Sequence, residues 1–299
     1  MKDYSLFLDK SKVTIFLLHG VIKEHRYRVR NYTRKHISEQ EFLNFIETVS
    51  IKGNAISLDY FIDCESHENL PEYAYVVTFD DGFKNNLTNA APILSSYKIP
   101  STFYITTGFV LNNQGSWIDL IEARLENTSS FNVENFHPNF DGKYSNTESM
   151  TQFLDKIRVV VKNDLSIDPY KFASELVQKI KPGTVHYERE LDEMLSVDDI
   201  RSLDNNPLFT IGGHGHTHRL LSSLERVELE FEIKNSINII EKIVGHKIRH
   251  YSYPEGLEHC FNNQVIECLK TNGIECAPSA LPGLNSIDDD KFHLKRVFI

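Results

Sequence analysis

Two short segments of the chain carry the residue types that most often take part in catalysis. In the first, Thr78–Gly82, two adjacent aspartates, Asp80 and Asp81, follow an apolar run. In the second, His214–His218, three histidines fall within five residues. Neighbouring carboxylates repel each other, so keeping both in one place is costly unless a cation or a chemical task offsets the repulsion. Each segment alone also has a structural interpretation, because Asp-Gly is a common turn dipeptide and a lone histidine is usually structural or on the surface.

The spacing of the histidines favours metal binding. His214 and His218 are four residues apart, which places two imidazoles on one helical face or across one tight turn. One carboxylate with two imidazoles makes a three-ligand set of the catalytic zinc type, with a position left open for water. The second carboxylate is then free to act as a base on that water. The two segments together therefore predict a hydrolytic metal centre.

Buried strands must position both segments. Short apolar runs rich in β-branched and aromatic residues predict strands at 12–18, 74–79, 101–105, 208–212, 250–253 and 294–298. Amphipathic segments between them predict helices at 38–50, 88–97, 196–203, 223–244 and 262–272. Strands that alternate with helices are typical of parallel βα units, which makes the fold class α/β. Both chemical segments then follow strands, at the carboxyl ends of a parallel sheet, where active sites usually lie.

Two of these helices carry further local signals. Ser38 followed by Glu41 is a capping-box pattern for the helix at 38–50. The helix at 223–244 is followed by Gly245, a common residue just beyond a helix end. Its apolar spacing predicts a buried face made of Val227, Leu229 or Phe231, Ile233, Ile237, Ile240 and Val244.

The stretch 111–195 has a different pattern. It opens on a loop with the single tryptophan, Trp117, continues through a polar segment at 126–148, and then shows helical periodicity at 150–161 and 171–180. The strand pattern resumes afterwards, and no Gly-, Ser- or Pro-rich linker flanks the stretch. We interpret residues 1–299 as a single domain with a helical insertion at 111–195.

Composition excludes several function classes. Lys and Arg number 32 against 42 Asp and Glu, a net charge of -10, so there is no basic excess for a nucleic acid or an anionic membrane. No apolar run approaches the ~20 residues of a transmembrane helix, and no signal peptide is visible. The four cysteines form no CxxC pair, which makes a disulfide framework unexpected. These features predict a cytoplasmic protein, with the inner membrane face as a second location.

The two chemical segments, TFDDG and HGHTH, resemble the metal-binding motifs of the polysaccharide deacetylase, or NodB-homology, family of carbohydrate esterases. Further segments resemble other parts of that family: VTIFLLHG at 13–20, FYITTG at 103–108, YSYPEG at 251–256 and LKRV at 294–297. The resemblance covers nearly the whole chain. It implies a distorted (β/α) barrel, seven-stranded in the family, enlarged here by the helical insertion.

The resemblance also implies roles for the site residues. Asp81, His214 and His218 would bind one divalent metal, usually zinc. Asp80 would be the general base that activates water for attack on an N-acyl carbonyl. The family's third motif corresponds to Tyr253, Pro254 and Glu255, where a backbone N–H would help to hold the oxyanion and the substrate.

The chain departs from the family pattern at positions that affect the base and the acid. The family commonly has an arginine at the position of Ser252, where it pairs with the base. Arg296 could replace it, or could instead pair with a surface carboxylate. The usual C-terminal histidine motif is absent, so His19, after the first strand, is the candidate general acid.

Two further residues have open roles. His216 lies between the two proposed ligands, and we expect it to line the site or to support the ligands. Trp117 could stack on a sugar ring or could anchor the insertion by packing. We interpret His246, His250 and His259 as surface or loop histidines without a role in the site.

The predicted function is hydrolysis of an N-acyl group, most readily N-acetyl, from an amino sugar in a glycan or a glycan precursor. One alternative is a degenerate relative that binds glycans without turnover, because the third motif and the C-terminal motif depart from the family. A second alternative groups His216 with His218, as in the last motif of metallophosphoesterases, although the other motifs of those enzymes are missing. The oligomeric state is not indicated by the sequence.

Overall fold

The computed structural model describes residues 2–164, 166–180, 185 and 187–299. The chain divides into two compact units. The first unit comprises Met1–Glu24, His36–Gln114 and Glu193–Ile299, and the second comprises His25–Lys35 and Gly115–Asp192. Among the described residues, no helix combines the length and the apolar character that crossing a membrane requires.

A parallel sheet forms the centre of the first unit. The strands of the chain are β1 (Thr14–Leu18), β2 (Gly20–Ile22), β3 (His36–Ser38), β4 (Asn54–Ala55), β5 (Ala74–Phe79), β6 (Ser101–Ile105), β7 (Phe131–Val133), β8 (Gly142–Tyr144), β9 (Phe209–Gly213) and β10 (Val297–Phe298). The main sheet has the order β10-β1-β5-β6-β9, with β4 beside the start of β5. All of its ladders are parallel. The predicted α/β fold with a parallel sheet is confirmed.

Isolated bridges continue the strand order beyond β9. Gly213 pairs with Tyr251, His250 with Cys276, and Pro278 with Leu294, each in parallel. The predicted strand at 250–253 is thus reduced to bridges, and the one at 294–298 to β10 with a bridge before it. Pairing among the described residues therefore runs from β9 toward β10 without hydrogen-bonding the sheet into a closed barrel.

The central strands are mainly apolar because both of their faces are covered. β1, β5 and β6 are buried at every position, which is typical of parallel strands with helices on either side. The helices of the chain are α1 (Glu39–Lys52), α2 (Leu58–Asp63), α3 (Ala91–Tyr97), α4 (Thr107–Asn112), α5 (Trp117–Glu126), α6 (Thr147–Asn163), α7 (Pro169–Lys179), α8 (Arg189–Asp192), α9 (Val197–Asp204), α10 (Arg226–Val244) and α11 (Asn263–Thr271). A π-helical turn at Asn86–Ala90 precedes α3.

Helix α1 begins as predicted. The Ser38 hydroxyl accepts the N–H of Glu41, and the Glu41 carboxylate accepts the N–H of Ser38, which completes the capping box. Each bond satisfies a backbone N–H that the first helical turn leaves without an intrahelical partner.

The predicted buried face of α10 is wrong at Val227, and of the two alternatives Leu229 and Phe231, Leu229 is the buried one. Val227 is 80% exposed and Phe231 is 58% exposed. The buried side chains are instead those of Leu229, Glu232, Ile233, Ser236, Ile237 and Ile240. The face is rotated toward Leu229, and this rotation brings a charged residue, Glu232, into the interior.

The second unit has its own core and its own polar anchors. Helices α5–α8 and the antiparallel hairpin β7–β8 occupy Gly115–Asp192. The segment His25–Lys35 is held to α5 because Glu126 accepts the backbone N–H groups of Arg28, Val29 and Arg30. That residues 111–195 form an insertion within one deacetylase domain stays a prediction, and Leu165, residues 181–184 and His186 of that stretch lie outside the described residues.

Candidate metal centre and active site

The two chemical segments meet at the carboxyl ends of the central strands. Asp80 and Asp81 follow β5, and His214 follows β9, while β6 pairs with both strands between them. Asp81, His214 and His218 each offer one ligand atom, and these atoms all lie within 4.8 Å of one another. Oδ1 of Asp81 lies 3.5 Å from Nε2 of His214 and 3.4 Å from Nε2 of His218.

The chain around Asp81 is held in an uncommon conformation. Asp81 has a φ of 75°, and Gly82 after it has a φ of 89°. The N–H of Asp80 donates to the carbonyl of Leu18, and the carbonyl of Asp81 accepts the N–H of Thr106. These bonds anchor the turn to the two neighbouring strands, β1 and β6. A left-handed aspartate costs conformational energy, and such residues cluster at functional sites.

His214 is oriented by a backbone carbonyl. Its Nδ1–H donates to the carbonyl of Ser252 at 2.9 Å, which leaves Nε2 to face Asp81. Burial lowers the pKa of His214, and the opposing influence of Asp80 does not restore it. A neutral imidazole with one nitrogen fixed by a carbonyl is the form in which histidine binds a metal.

His218 closes the group from a looser position. Its side chain is 15% exposed and its φ is 58°. The imidazole stacks on the ring of Phe109, with the two centroids 5.6 Å apart. Two imidazoles and a carboxylate, nearly dry and with the open side at His218, fit a divalent cation of the zinc type.

Asp80 lies beside this group, with its Oδ2 3.8 Å from Nε2 of His214, and its carboxylate is paired with the guanidinium of Arg296. Arg296 donates two hydrogen bonds of 2.8 Å, one to each carboxylate oxygen of Asp80. The Ser252 hydroxyl also donates to Asp80, at 3.2 Å. Burial alone would raise the pKa of Asp80, but Arg296 and His214 outweigh burial and lower it. The carboxylate is therefore ionised at neutral pH and able to accept a proton.

The guanidinium of Arg296 occupies a buried position. Arg296 is 2% exposed and Asp80 is 3% exposed, so the carboxylate it binds is not a surface one. Nε of Arg296 also donates to the carbonyl of Ser279. Ser252, at the position where the family commonly has arginine, accepts a hydrogen bond from Arg296 at 2.9 Å. The guanidinium thus binds Asp80 from the position directly before β10.

The remaining candidates take different places in the first unit. His19 follows β1, is half-buried, and lies close enough to Asp80 for its charge to influence that carboxylate. Pro254 packs beside Gly215 of the histidine segment. Glu255 is half-buried with a φ of 62°. Tyr253 is fully buried, and its hydroxyl donates to the carbonyl of Phe292, so its side chain belongs to the core.

Trp117 lies in the second unit, at the first position of α5. It is half-buried and packs against the hydrophobic core of that unit. This contact favours packing over sugar stacking as its role.

Sequence reasoning missed a residue that supports the histidine segment. Glu232, 3% exposed in α10, accepts hydrogen bonds from the backbone N–H groups of His216 and Thr217. Its signal in the sequence is a glutamate that falls on the same helical face as Leu229 and Ile233.

One histidine was assigned to the wrong environment. His250, expected on the surface or in a loop, is 0% exposed, and its Nε2 lies 3.1 Å from Oδ1 of Asp59. The bridge of His250 to Cys276 brings it inside the unit. His246 and His259 are exposed, as expected.

Comparisons with known proteins agree with this architecture. The family model described as polysaccharide deacetylase matches residues 67–164 and 173–277. No curated protein matches the chain. Solved structures with a similar fold include the deacetylase PplD of Streptococcus pyogenes in complex with acetate (13% identity, TM-score 0.62, covering 97% of this chain and 93% of that one). They also include a de-N-acetylase from Aggregatibacter actinomycetemcomitans (18% identity, TM-score 0.62, 96% and 95%) and IcaB from Ammonifex degensii (16% identity, TM-score 0.59, 98% and 93%).

At these identities the solved structures show a shared fold. The family match is the stronger finding, because it spans more than half of the chain and contains the segments that hold Asp80, Asp81, His214 and His218. The chain therefore belongs to the polysaccharide deacetylase family, and this membership supports glycan deacetylation as its activity.

Proposed function

We propose that this protein is a zinc-dependent hydrolase that removes N-acetyl groups from an amino sugar in a glycan or glycan precursor. The observation that carries the proposal is the convergence of Asp81, His214 and His218 beside a separate carboxylate, Asp80, held by Arg296. Deacetylases of this family are generally metalloenzymes, which agrees with that donor set. The solved relatives include a protein named as a de-N-acetylase and one in complex with acetate.

In the proposed reaction the cation, when bound, acts as a Lewis acid toward the amide carbonyl. Asp80 is the general base: Arg296 and Ser252 hold its carboxylate in place, and it takes a proton from the attacking water. The oxygen of that water forms a bond to the carbonyl carbon, and the carbonyl becomes an oxyanion. The backbone at Pro254 and Glu255 is the proposed site for a donor to this oxyanion.

Collapse of the tetrahedral species breaks the C–N bond and releases acetate and the sugar amine. The leaving nitrogen needs a proton as that bond breaks. His19 is the proposed donor, because it follows β1 on the same edge of the sheet as Asp80 and influences that carboxylate. Its replacement by alanine is expected to lower kcat and leave zinc affinity unchanged.

The phosphoesterase alternative gains no support from the site. It requires His216 to act with His218, whereas Nδ1 of His216 is hydrogen-bonded to the hydroxyl of Thr107 at 2.8 Å. The ligand group contains His214 and His218.

The test uses Asp80→Asn beside the unaltered protein, both loaded with zinc and assayed for acetate release from N-acetylglucosamine oligomers. We expect Asp80→Asn to bind zinc and to lose roughly 10²–10⁴-fold in kcat, the usual contribution of a general base. Asp81→Asn is expected to lose zinc as well as activity. Full activity in Asp80→Asn would contradict the assignment of the base. Zinc binding by the unaltered protein with no acetate release from any N-acetylated sugar would instead favour the glycan-binding alternative.

A further inference from the structure

The segment that carries both histidine ligands has no regular secondary structure of its own. It leaves β9 after Gly213, and Gly215 and His218 have φ values of 79° and 58°. Left-handed backbone at a histidine is uncommon and needs support from its surroundings. Something other than local propensity must therefore hold the segment in place.

One side of the segment is held by the start of α4. The N–H of Thr107 donates to the carbonyl of Gly215 at 3.2 Å, and the N–H of Gly108 donates to the carbonyl of His216 at 2.7 Å. A Cβ at Gly108 would lie 2.4 Å from that carbonyl oxygen, so the close approach requires glycine. The hydroxyl of Thr107 adds the hydrogen bond to the ring of His216.

The other side is held by a single buried carboxylate. Oε2 of Glu232 accepts the N–H groups of His216 and Thr217, both at 2.9 Å, and Oε1 accepts the hydroxyl of Thr217. Glu232 is 3% exposed. A carboxylate so far from water is costly unless donors surround it, and here the three donors come from one segment. The cost of burying the Glu232 carboxylate is therefore offset only when that segment keeps this conformation.

Another residue packed inside the unit adds to this support. The hydroxyl of Tyr251 accepts the N–H of Gly215 at 2.9 Å. The hydroxyls of Tyr251 and Ser236 are hydrogen-bonded at 3.1 Å, which joins the segment to α10 a second time. All the backbone donors between the two ligands, at Gly215, His216 and Thr217, are thus satisfied by side chains linked to α10.

We infer that Glu232 is a positioning residue for the metal site. It holds the backbone between His214 and His218 so that Nε2 of each imidazole faces Oδ1 of Asp81 before a cation binds. This inference rests on the proposed zinc dependence. It assigns to α10, a helix that supplies no ligand, control over how tightly the cation is held.

The test measures zinc affinity of the full chain by competition with a chromogenic chelator, with no substrate present. Glu232→Ala is expected to weaken zinc binding about 10–100-fold, the range found for residues that orient metal ligands. Glu232→Gln keeps an oxygen that accepts both N–H groups, so it is expected to recover most of that loss. Glu230→Ala is the matched control, because Glu230 lies on the same helix and pairs with exposed Arg226. It is expected to bind zinc as the unaltered protein does.

A second variant covers the case in which Glu232→Ala does not fold. Thr217→Val removes only the hydroxyl bond to Glu232, and it is expected to weaken zinc binding by a smaller factor in the same direction. With Co²⁺ in place of zinc, the visible absorption spectrum is expected to shift in both variants, since displaced imidazoles alter the ligand geometry. A role confined to folding would leave the spectrum of the folded fraction unchanged.

The outcomes separate this inference from the proposed function. Unaltered zinc affinity in folded Glu232→Ala, or in Thr217→Val where the alanine variant does not fold, overturns the inference alone. Zinc binding without acetate release in the unaltered protein overturns the proposed function alone. An unaltered protein that binds no zinc overturns both.

Discussion

Two clusters in the first unit combine aspartate, histidine and arginine, yet they arrange their charges differently. The metal-site cluster comprises Asp80, Asp81, His214, His218 and Arg296. The second, which we name the Arg249 cluster, comprises Asp59, Asp63, Thr210, Arg249, His250 and Glu275. Residue types alone therefore do not distinguish a candidate site from a structural ion-pair network.

Arg249 and Arg296 differ in the number of carboxylates that each binds. Arg249 donates to Asp59, Asp63 and Glu275, three partly exposed side chains. Asp63 and Glu275 raise the pKa of Arg249, chiefly through the hydrogen bond to Asp63. Arg296 instead binds one buried carboxylate, Asp80, with both of its terminal nitrogens.

This difference leaves the two clusters with different capacities for a cation. In the Arg249 cluster one guanidinium donates hydrogen bonds to all three carboxylates. A metal ion bound there would therefore add little electrostatic stabilisation. In the metal-site cluster the guanidinium is taken up by Asp80, and Asp81 is left facing the two imidazoles. The distances of 3.5 and 3.4 Å are longer than N–H···O hydrogen bonds and leave room for an ion between the groups.

The largest effect is expected from Arg296→Met. This change leaves Asp80 buried without its guanidinium, and breaking a buried pair from one side costs about 3–5 kcal/mol. The free energy of unfolding, measured in urea at pH 7, is expected to fall by that amount, and acetate release is expected to fail. Arg249→Met is the comparison, with a smaller loss because its partners are hydrated.

A double variant tests whether the cost comes from the buried charge of Asp80 that Arg296→Met leaves unpaired. Arg296→Met combined with Asp80→Asn removes both members of the pair, and it is expected to be more stable than Arg296→Met alone. Equal losses of stability in Arg296→Met and Arg249→Met would remove the distinction between the two clusters.

The second effect is stabilisation by zinc. An ion that binds only the folded protein adds about 2.7 kcal/mol at a concentration of 100 Kd. We expect this gain in the unaltered protein and in Asp59→Asn, and its loss in Asp81→Asn and His218→Ala. Thermal unfolding with zinc and with excess chelator measures it. A gain that survives in Asp81→Asn but disappears in Asp59→Asn would place the cation in the Arg249 cluster.

The smallest effect concerns pH. The contact with His250, followed by that with Arg249, lowers the pKa of Asp59 to about 2 against the opposing influence of burial. A lowered carboxyl pKa stabilises the folded state above the unfolded pKa of about 3.9 and ceases to do so as the pH falls through 2. Because Asp59 is one-third exposed, we discount this contribution to about 1 kcal/mol.

Asp59→Asn therefore tests the sign of that dependence. Its deficit in the free energy of unfolding, relative to the unaltered protein, is expected to be present at pH 6 and to vanish near pH 2. Asp63→Asn, whose side chain is 57% exposed, serves as control with a deficit of about 0.5 kcal/mol or less. A deficit that grows as the pH falls would contradict the assignment.

Local patterns were enough to predict most of the central elements. The strands at 74–79 and 101–105 were predicted with the bounds that the structure shows. A short continuous run rich in β-branched and aromatic residues is typical of a buried parallel strand. The start of α1 was predicted from Ser38 and Glu41 because a capping box involves only neighbours in sequence.

Features that depend on packing were not predictable in the same way. Two overlapping apolar stripes on α10 both satisfy helical spacing, and only contact with the sheet decides that Val227 and Phe231 face solvent. His250 was misplaced for the same reason, since its burial results from the neighbouring segment at Cys276.

The candidate site divides along the same line. Its two motifs are local in sequence. Asp80, Asp81, His214 and His218 could therefore be predicted from the sequence alone. That Arg296 takes both oxygens of Asp80, while Ser252 fills the place of the family arginine, depends on how the last strand docks. The support from Glu232 depends likewise on the rotation of α10.

The hydrogen bonds of Asp80 also make the site a reporter of folding. They span 172 residues to Ser252 and 216 residues to Arg296. Contacts so distant in sequence require large loops to close, so they are expected to form after the local helices and strand pairs. Loss of such late contacts accelerates unfolding more than it slows folding. During refolding, recovered hydrolysis would therefore count only those molecules in which the final strand has already joined the first.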